Sequence, residues 1–300
     1  VGALCIKKEG AHFDTPSSIG KAPIRLNDNA PMSEKLAARI ANGETGKFDA
    51  ELFSFIATDF LNGVQSAFKR SMNHADVRFA YGLQDDAFIT ALEMNLFHFS
   101  AGKTLAEIQE LNKAFRESGN FQEFSKKAEQ ICGTFNKTWQ KTEYETAVLT
   151  AESASNYHRL MGKTKMFPYW KYVTAGDEKV REEHRKLDGV ILPANDPRWK
   201  KIFPPNGWKC RCRVVPLMKH EVEGIDINAM RAIVDEYLGT SEWKMNEAQG
   251  WDSNRGETAE VFSKNQHYIR KFPDKAASLL GDLHYNCLLY TSPSPRDTER

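Results

Sequence analysis

Four side chains near the middle of this 300-residue sequence have types that can do chemistry together: His184, Asp188, Cys210 and Cys212. Cys210 and Cys212 are one residue apart. On an extended backbone side chains alternate, so both thiols fall on one face and Arg211 and Arg213 take the other. A disulfide between two such cysteines closes a strained small ring. The pair is better placed to offer two thiolates to one metal ion, since zinc takes sulfur at about 2.3 Å and is usually four-coordinate in structural sites. A zinc reading uses His184, Cys210 and Cys212, with Asp188 as the fourth ligand, and ties a helix to a strand. A second reading packs both thiols as small hydrophobes beneath Trp208 and has His184 hydrogen-bond a buried carbonyl. A third makes Cys210 or Cys212 a nucleophile, with His184 as base and Asp188 as orienter. No recognised nucleophile motif, phosphate-cradling glycine loop or paired-carboxylate pattern accompanies it.

The elements that must position these residues are compressed into residues 170–216, which carry dense aromatic, proline and glycine punctuation. Phe167 to Val173 alternates and is rich in aromatics, so it reads as a strand. Asp177 is placed to cap a short helix over residues 178–187, on which Val180, His184 and Leu187 share the inner face. Asp177 with Arg181, and Glu182 with Lys186, are pairs at i, i+4. Asp188-Gly189 is a turn dipeptide. Val190 to Leu192 reads as a short strand, Asp196 to Gly207 as a loop, and Trp208 to Val215 as a closing strand.

Upstream the texture is helical. Leu52, Ile56, Phe60, Val64, Phe68 and Met72 recur at i+4. A second helix is expected from Asp85 to a stop at Gly102, and a third from a Thr104-x-x-Glu107 capping box. A fourth is expected from Asn120-x-x-Glu123 through Phe135 and Trp139. A fifth runs from Thr142-x-x-Glu145, with Gly162 as its C′ glycine. The aromatic stripes read as packed core, and Cys132 as a buried thiol. Downstream, helices are expected over Ile227–Leu238, ended by Gly239, and over Thr258–Ile269. The expected class is therefore α+β and mainly α: a helical N-terminal array, then a small mixed domain of short strands and a short helix. Its segments are an irregular arm (1–47), a helical region (48–143), the mixed domain (144–219), a helical appendage (220–286) and a tail (287–300).

Composition is ordinary for a soluble globular chain, with 41% hydrophobic and 27% charged residues and a formal net charge of +1. The charge is uneven. Residues 170–219 hold 12 Lys and Arg against 6 Asp and Glu, a local +6 that could face DNA, an acidic partner or only water. No apolar run spans a membrane and no signal peptide is visible. Five scattered cysteines are an odd number, which fits reduced thiols in a cytoplasmic setting better than a disulfide framework. The chain begins at Val1, so its true beginning is expected to lie further upstream. The last residues, Cys287 to Arg300, break in composition and read as a non-native, translated adaptor tail.

The central residues also carry a family resemblance. Asp177-x-x-Val180-Arg181-x-x-His184, then Leu187-Asp188-Gly189, then Pro204-Pro205-Asn206-Gly207-Trp208-x-Cys210-Arg211-Cys212 resembles the phage Mu F-like head-morphogenesis family. Trp170 and Thr174 fit the same pattern over roughly residues 144–216. Trp251 to Gly256 resembles the Asn-Pro-Gly turn that follows the domain, with Arg255 where proline is expected. The resemblance implies a minor capsid protein of a tailed double-stranded-DNA phage or prophage, not an enzyme. Such a protein joins the procapsid near the portal and contacts portal and other capsid proteins, with packaged DNA as a further partner through the basic stretch. It resides inside the head, and in the host cytoplasm during assembly. The runner-up is a zinc- or thiol-dependent hydrolase or effector carried in the particle, using His184 and Cys210 or Cys212.

Overall fold

The computed structural model describes residues 29–72 and 84–276, together with residues 24 and 278. Among them it is mainly helical with one three-stranded antiparallel sheet, the α+β class the sequence predicts. The chain forms two compact units that interleave instead of following one another. The first draws on Val1–Thr58, Phe97–Lys141 and His267–Arg300, the second on Asp59–Leu96 and Thr142–Gln266. The tail at 287–300 lies outside the described residues.

In the first unit the supposed irregular arm contains a helix, α1 (Met32–Ala41), which buries Leu36, Ala37 and Ile40. It has no side-chain N-cap, only Pro31, and its apolar stripe is one turn long, so its sequence signal is weak. Arg39 at its end bonds Asp49 at 2.9 Å and Glu51 at 2.8 Å. Asp49 in turn caps α2 (Ala50–Met72) by accepting from the Leu52 N–H at 2.8 Å. The i+4 stripe of α2 is buried from Leu52 through Phe68, and the Met72 side chain lies outside the described set.

α3 (Gln84–Arg116) runs straight through Gly102 and Thr104, so neither the stop nor the capping box expected there exists. The Thr104 hydroxyl donates back to the Ser100 carbonyl at 2.9 Å, as a mid-helix threonine does. Gly102 serves a close approach: a Cβ there would stand 2.9 Å from the Tyr268 carbonyl oxygen. Asn120 does cap α4 (Phe121–Gly133), accepting from Glu123 N–H at 2.9 Å. A π-turn over Thr134–Trp139 then leads into α5 (Gln140–Met161), where a second cap at Thr142 was expected. The wide turn adds a residue to the helical phase. Phe135 stays buried while Trp139, expected on the same stripe, is 44% exposed. Inside α5 the Thr146 hydroxyl donates to Thr142 O at 2.7 Å. The helix ends at Gly162 without the left-handed C′ geometry.

The first unit also buries a polar group that no motif announces. The Glu107 carboxylate accepts from Asn136 Nδ2 at 2.7 Å. Burial pushes its pKa up to about 7, against the opposing hydrogen bonds of Cys132 and Asn136 and the charge of Lys103. The Cys132 thiol is driven up chiefly by burial and also by this neighbour, so the buried-thiol expectation holds.

The second unit is built on the sheet, in the order β2 (Ile191–Pro193), β1 (Tyr169–Val173), β3 (Arg213–Leu217). Trp170 faces Leu192 and Pro216 across the ladders, and Tyr172 faces Val214. Alternation puts Trp170 and Tyr172 fully inside. Tyr157 from α5, Trp170, Trp199 on α7 (Trp199–Ile202) and Phe203 meet edge to face, with Tyr157–Phe203 centroids at 5.2 Å.

The expected C-terminal appendage is part of this core. α8 (Ile227–Leu238), capped by Asp226, and α9 (Ser241–Ala248), capped by Thr240, add Val234, Tyr237 and Trp243 to the same cluster. The helix expected over Thr258–Ile269 is divided. α10 (Arg255–Thr258) stops at a left-handed Ala259, φ 56°, and α11 (His267–Lys271) begins after a break.

Two measurements test this account. Gly102→Ala is expected to lower stability by about 1–2 kcal/mol in urea melts, because the clash outweighs the roughly 1 kcal/mol helix-propensity gain; a net gain would contradict the close approach. For Glu107, the folded chain holds the proton up to about 7 and the unfolded chain only to about 4.5. Stability from this group is therefore full below 4.5 and lost as pH rises to 7. Glu107→Gln should match the parent at low pH and exceed it at pH 8 by on the order of 3 kcal/mol. A difference constant with pH would refute the shift.

Candidate functional site

The site grows from the β1–β2 hairpin and the loop that precedes β3. The Thr174 N–H donates to Asp188 Oδ1 at 2.7 Å, and Gly189 N–H to Tyr172 O at 2.9 Å, closing the long β1–β2 excursion. Gly189 has φ 82°, which a glycine adopts without cost. Within the excursion, the expected helix over 178–187 shrinks to α6 (Glu182–Arg185), N-capped by Arg181. Asp177 accepts from Lys179 N–H at 3.1 Å in a local turn instead of capping that helix. Its carboxylate faces the Arg211 guanidinium in two bonds of 2.6 and 2.7 Å, not Arg181 as i, i+4 spacing predicts. That pairing holds the Asp177 pKa down at about 2. Glu182 meets Arg185, at 3.5 Å, where Lys186 was the expected partner.

Arg181 reaches across to the incoming loop. Its Nη2 donates to Trp208 O at 2.6 Å, and a Cβ on Gly207 would stand 3.1 Å from its Nη1. Gly207 is there to let a guanidinium pass. Val180, expected on the inner face of the longer helix, lies ahead of α6 and is nonetheless buried.

The loop 203–212 is anchored residue by residue. Pro204 O accepts from the Ser153 hydroxyl of α5, and the Pro204–Pro205 peptide is cis. The Lys209 N–H donates to Thr146 Oγ1 at 3.0 Å while its Nζ meets Glu145 at 2.8 Å. Trp208 packs edge-on against Trp251 at 5.3 Å and against Phe262 at 5.8 Å. Asn206, absent from the candidate set yet completely buried, does most. It accepts from Tyr172 Oη at 3.1 Å, donates to Lys201 O at 3.3 Å, and its backbone O stands 3.2 Å from His184 Nε2. Its place inside the Pro-Pro-Asn-Gly-Trp run was the available signal; its threefold bonding has no sequence signature.

These anchors bring His184, Cys210 and Cys212 together. His184 Nδ1 lies 3.6 Å from Cys210 Sγ and 3.6 Å from Cys212 Sγ. His184 is 2% and Cys210 4% exposed, and Cys212 is half-buried. The strand expected from Trp208 is not what aligns the thiols. β3 begins only at Arg213, and Lys209 turns the chain in a left-handed conformation, φ 54°. Asp188 is not part of the group, being committed to Thr174. The Cys210 thiol is held well below its ordinary range, first by the hydrogen bond from Cys212 and next by His184. Cys212 is pushed up, first by that same bond. Three soft or borderline ligand atoms converge in a buried place. The orienting group on the imidazole is a backbone carbonyl, not a carboxylate.

The Trp251–Gly256 segment docks on the same unit. Asn254 N–H donates to Lys200 O at 2.8 Å, and Asn254 caps α10. Arg255, where proline was expected, is buried over the Trp251 ring at 5.3 Å, with Nη1 on Ser253 at 2.8 Å and Nη2 on Gly250 O. A side chain at Gly256 would run into the Tyr157 ring.

Residues 108–215 match the family described as Phage Mu protein F like protein. The chain is 36% identical over 154 residues to the Mu-like prophage FluMu F protein of Haemophilus influenzae, covering 44% of this chain and 36% of that protein. It is 30% identical over 152 residues to the putative capsid assembly protein F of Escherichia phage Mu, covering 43% and 34%. A 47-residue stretch is 49% identical to an uncharacterized protein of Methanocaldococcus jannaschii. The matched region thus spans about a third of the length of the two phage-type relatives. No solved structure matches. Residues 108–215, whose motif builds the buried site just described, are thus the part of the chain that is similar to the Phage Mu protein F like family.

Proposed function

We propose that this chain is a minor head protein of a tailed double-stranded-DNA phage or prophage, acting in procapsid assembly beside the portal. The family match over residues 108–215 carries the reading, together with a relative in phage Mu whose name is putative capsid assembly protein F. The geometry supports it in a specific way. The motif residues are consumed by internal contacts: Asp177 by Arg211, Arg181 by Trp208 O, Asn206 by three elements, and Trp208 by Trp251 and Phe262. Residues used this way hold a shape for docking, which is what an assembly part needs.

The hydrolase alternative has less support. A nucleophile needs an approach for its substrate; Cys210 and His184 are both buried, and only Cys212 is partly exposed. Asp188, the orienter that reading requires, bonds Thr174 instead. Contact with packaged DNA through the basic stretch is also weakened. Six of its twelve cations, Arg181, Arg185, Arg198, Lys201, Lys209 and Arg211, stand against carboxylates of the same unit. No described helix is long and apolar enough to cross a membrane. The proposed location is the head interior, reached from the host cytoplasm during assembly.

The test is co-expression of this chain with the portal, scaffold and major capsid proteins encoded beside it. The chain is expected to sediment with procapsids and to be retained by tagged portal protein when the major capsid protein is omitted. Procapsids of normal yield and portal content that leave the chain in the soluble fraction would overturn the proposal.

A further inference from the structure

We infer that His184 Nδ1 and the sulfurs of Cys210 and Cys212 bind one zinc ion. Among the described residues these three ligand atoms form a group lying within 4.8 Å of one another. The two nitrogen–sulfur spacings fit a tetrahedral ion. With Zn–S near 2.3 Å and Zn–N near 2.05 Å, two ligands at a tetrahedral angle are about 3.6 Å apart for N and S, and about 3.8 Å for two sulfurs. His184 Nδ1 stands 3.6 Å from each sulfur. A plain thiol hydrogen bond explains one such distance and not two, because Nδ1 has a single lone pair and accepts one S–H.

The tautomer agrees. His184 Nε2 faces the Asn206 carbonyl oxygen at 3.2 Å, and an oxygen of that kind only accepts, so Nε2 carries the proton and Nδ1 is left bare. A metal-bound histidine is held in the same way, its second N–H fixed by a carbonyl or carboxylate. Two thiolates with a divalent ion make a neutral centre, which suits a buried place. Asp188 is occupied by the Thr174 N–H, so the protein supplies three ligands and a water completes the shell. The ion would tie α6 to the 204–212 loop and to the start of β3, where turns outnumber regular pairing. The inference is independent of the assembly role.

The experiment takes the full chain, purified under reductant from zinc-supplemented cells, and measures metal by plasma mass spectrometry. The chain is then stripped and titrated with Co(II). About one zinc per chain is expected, together with thiolate-to-cobalt charge-transfer absorption, tetrahedral d–d bands and a melting temperature lowered by chelation. Cys212→Ser should lose at least tenfold in zinc affinity, and Asp188→Asn should keep full stoichiometry. A cooperatively folding parent that takes up neither ion would overturn the inference, whatever the variants do. So would parent-level zinc in Cys212→Ser. Loss of zinc in Asp188→Asn that still melts cooperatively would refute the three-ligand set.

Discussion

The second unit depends on one uncharged side chain, Asn206. Taking an amide fully out of water costs several kcal/mol unless its bonds are replaced. Here Tyr172 from the sheet and Lys201 O from the end of α7 replace them. Its own carbonyl then fixes the orientation of His184. Sheet, helix and thiol loop are therefore placed by one residue that none of them can satisfy alone. Such a network is strong when complete and costly when any member is missing. That is a reason for the loop to be built of residues with little freedom. Prolines set the approach, Gly207 admits Arg181, and Trp208 closes the far side.

The loop is held by α5. Glu145, Thr146, Ser153 and Tyr157 are spaced along that helix so that each meets a different part of the second unit: Lys209 for the first two, then Pro204, then the aromatic cluster and Gly256. A helix is the one element stiff enough to keep four such contacts in register over three turns. The sheet by itself is too small for that. Three strands of three to five residues gain independent stability only by packing against something else.

Much of this was legible in the sequence and some was not, for reasons that differ. The class, the stripe on α2, the Asn120 cap, the β1 alternation and the convergence of His184 with two thiols follow from periodicity and residue type. Gly102, Thr104 and Thr142 misled because a helix stop and a mid-helix close contact call for the same small or hydroxylated residues. Only the partner decides, and Tyr268 is far away along the chain. Trp139 was misplaced because a π-turn changes the phase without any compositional mark. The thiols illustrate the opposite case. They do lie together, although the expected strand is replaced by a left-handed turn at Lys209. The spacing was right and the backbone carrying it was not. Asn206 could be seen as part of a pattern, but burial, which gives it its importance, is a property of the folded chain.

Charge shows most plainly why a local count along the sequence misleads. Residues 170–219 carry a net +6, and taken as a window they look like a surface for an anion. Folding brings in carboxylates from outside the window: Glu145 to Lys209, Asp235 to Arg198, Glu247 to Lys201. Within it, Asp177 takes Arg211. Exposed pairs of this kind contribute little to stability, typically under about 1 kcal/mol each. Their consequence is for recognition, since a cation already facing a carboxylate is less able to neutralise a phosphate and displace its counterions. Asp196 carries the argument furthest. Almost wholly buried, it holds Arg198 at 3.1 Å and Arg231 at 2.8 Å, and so fastens α8 to the loop between β2 and α7. Half of the cations in the basic stretch thus serve as internal fastening.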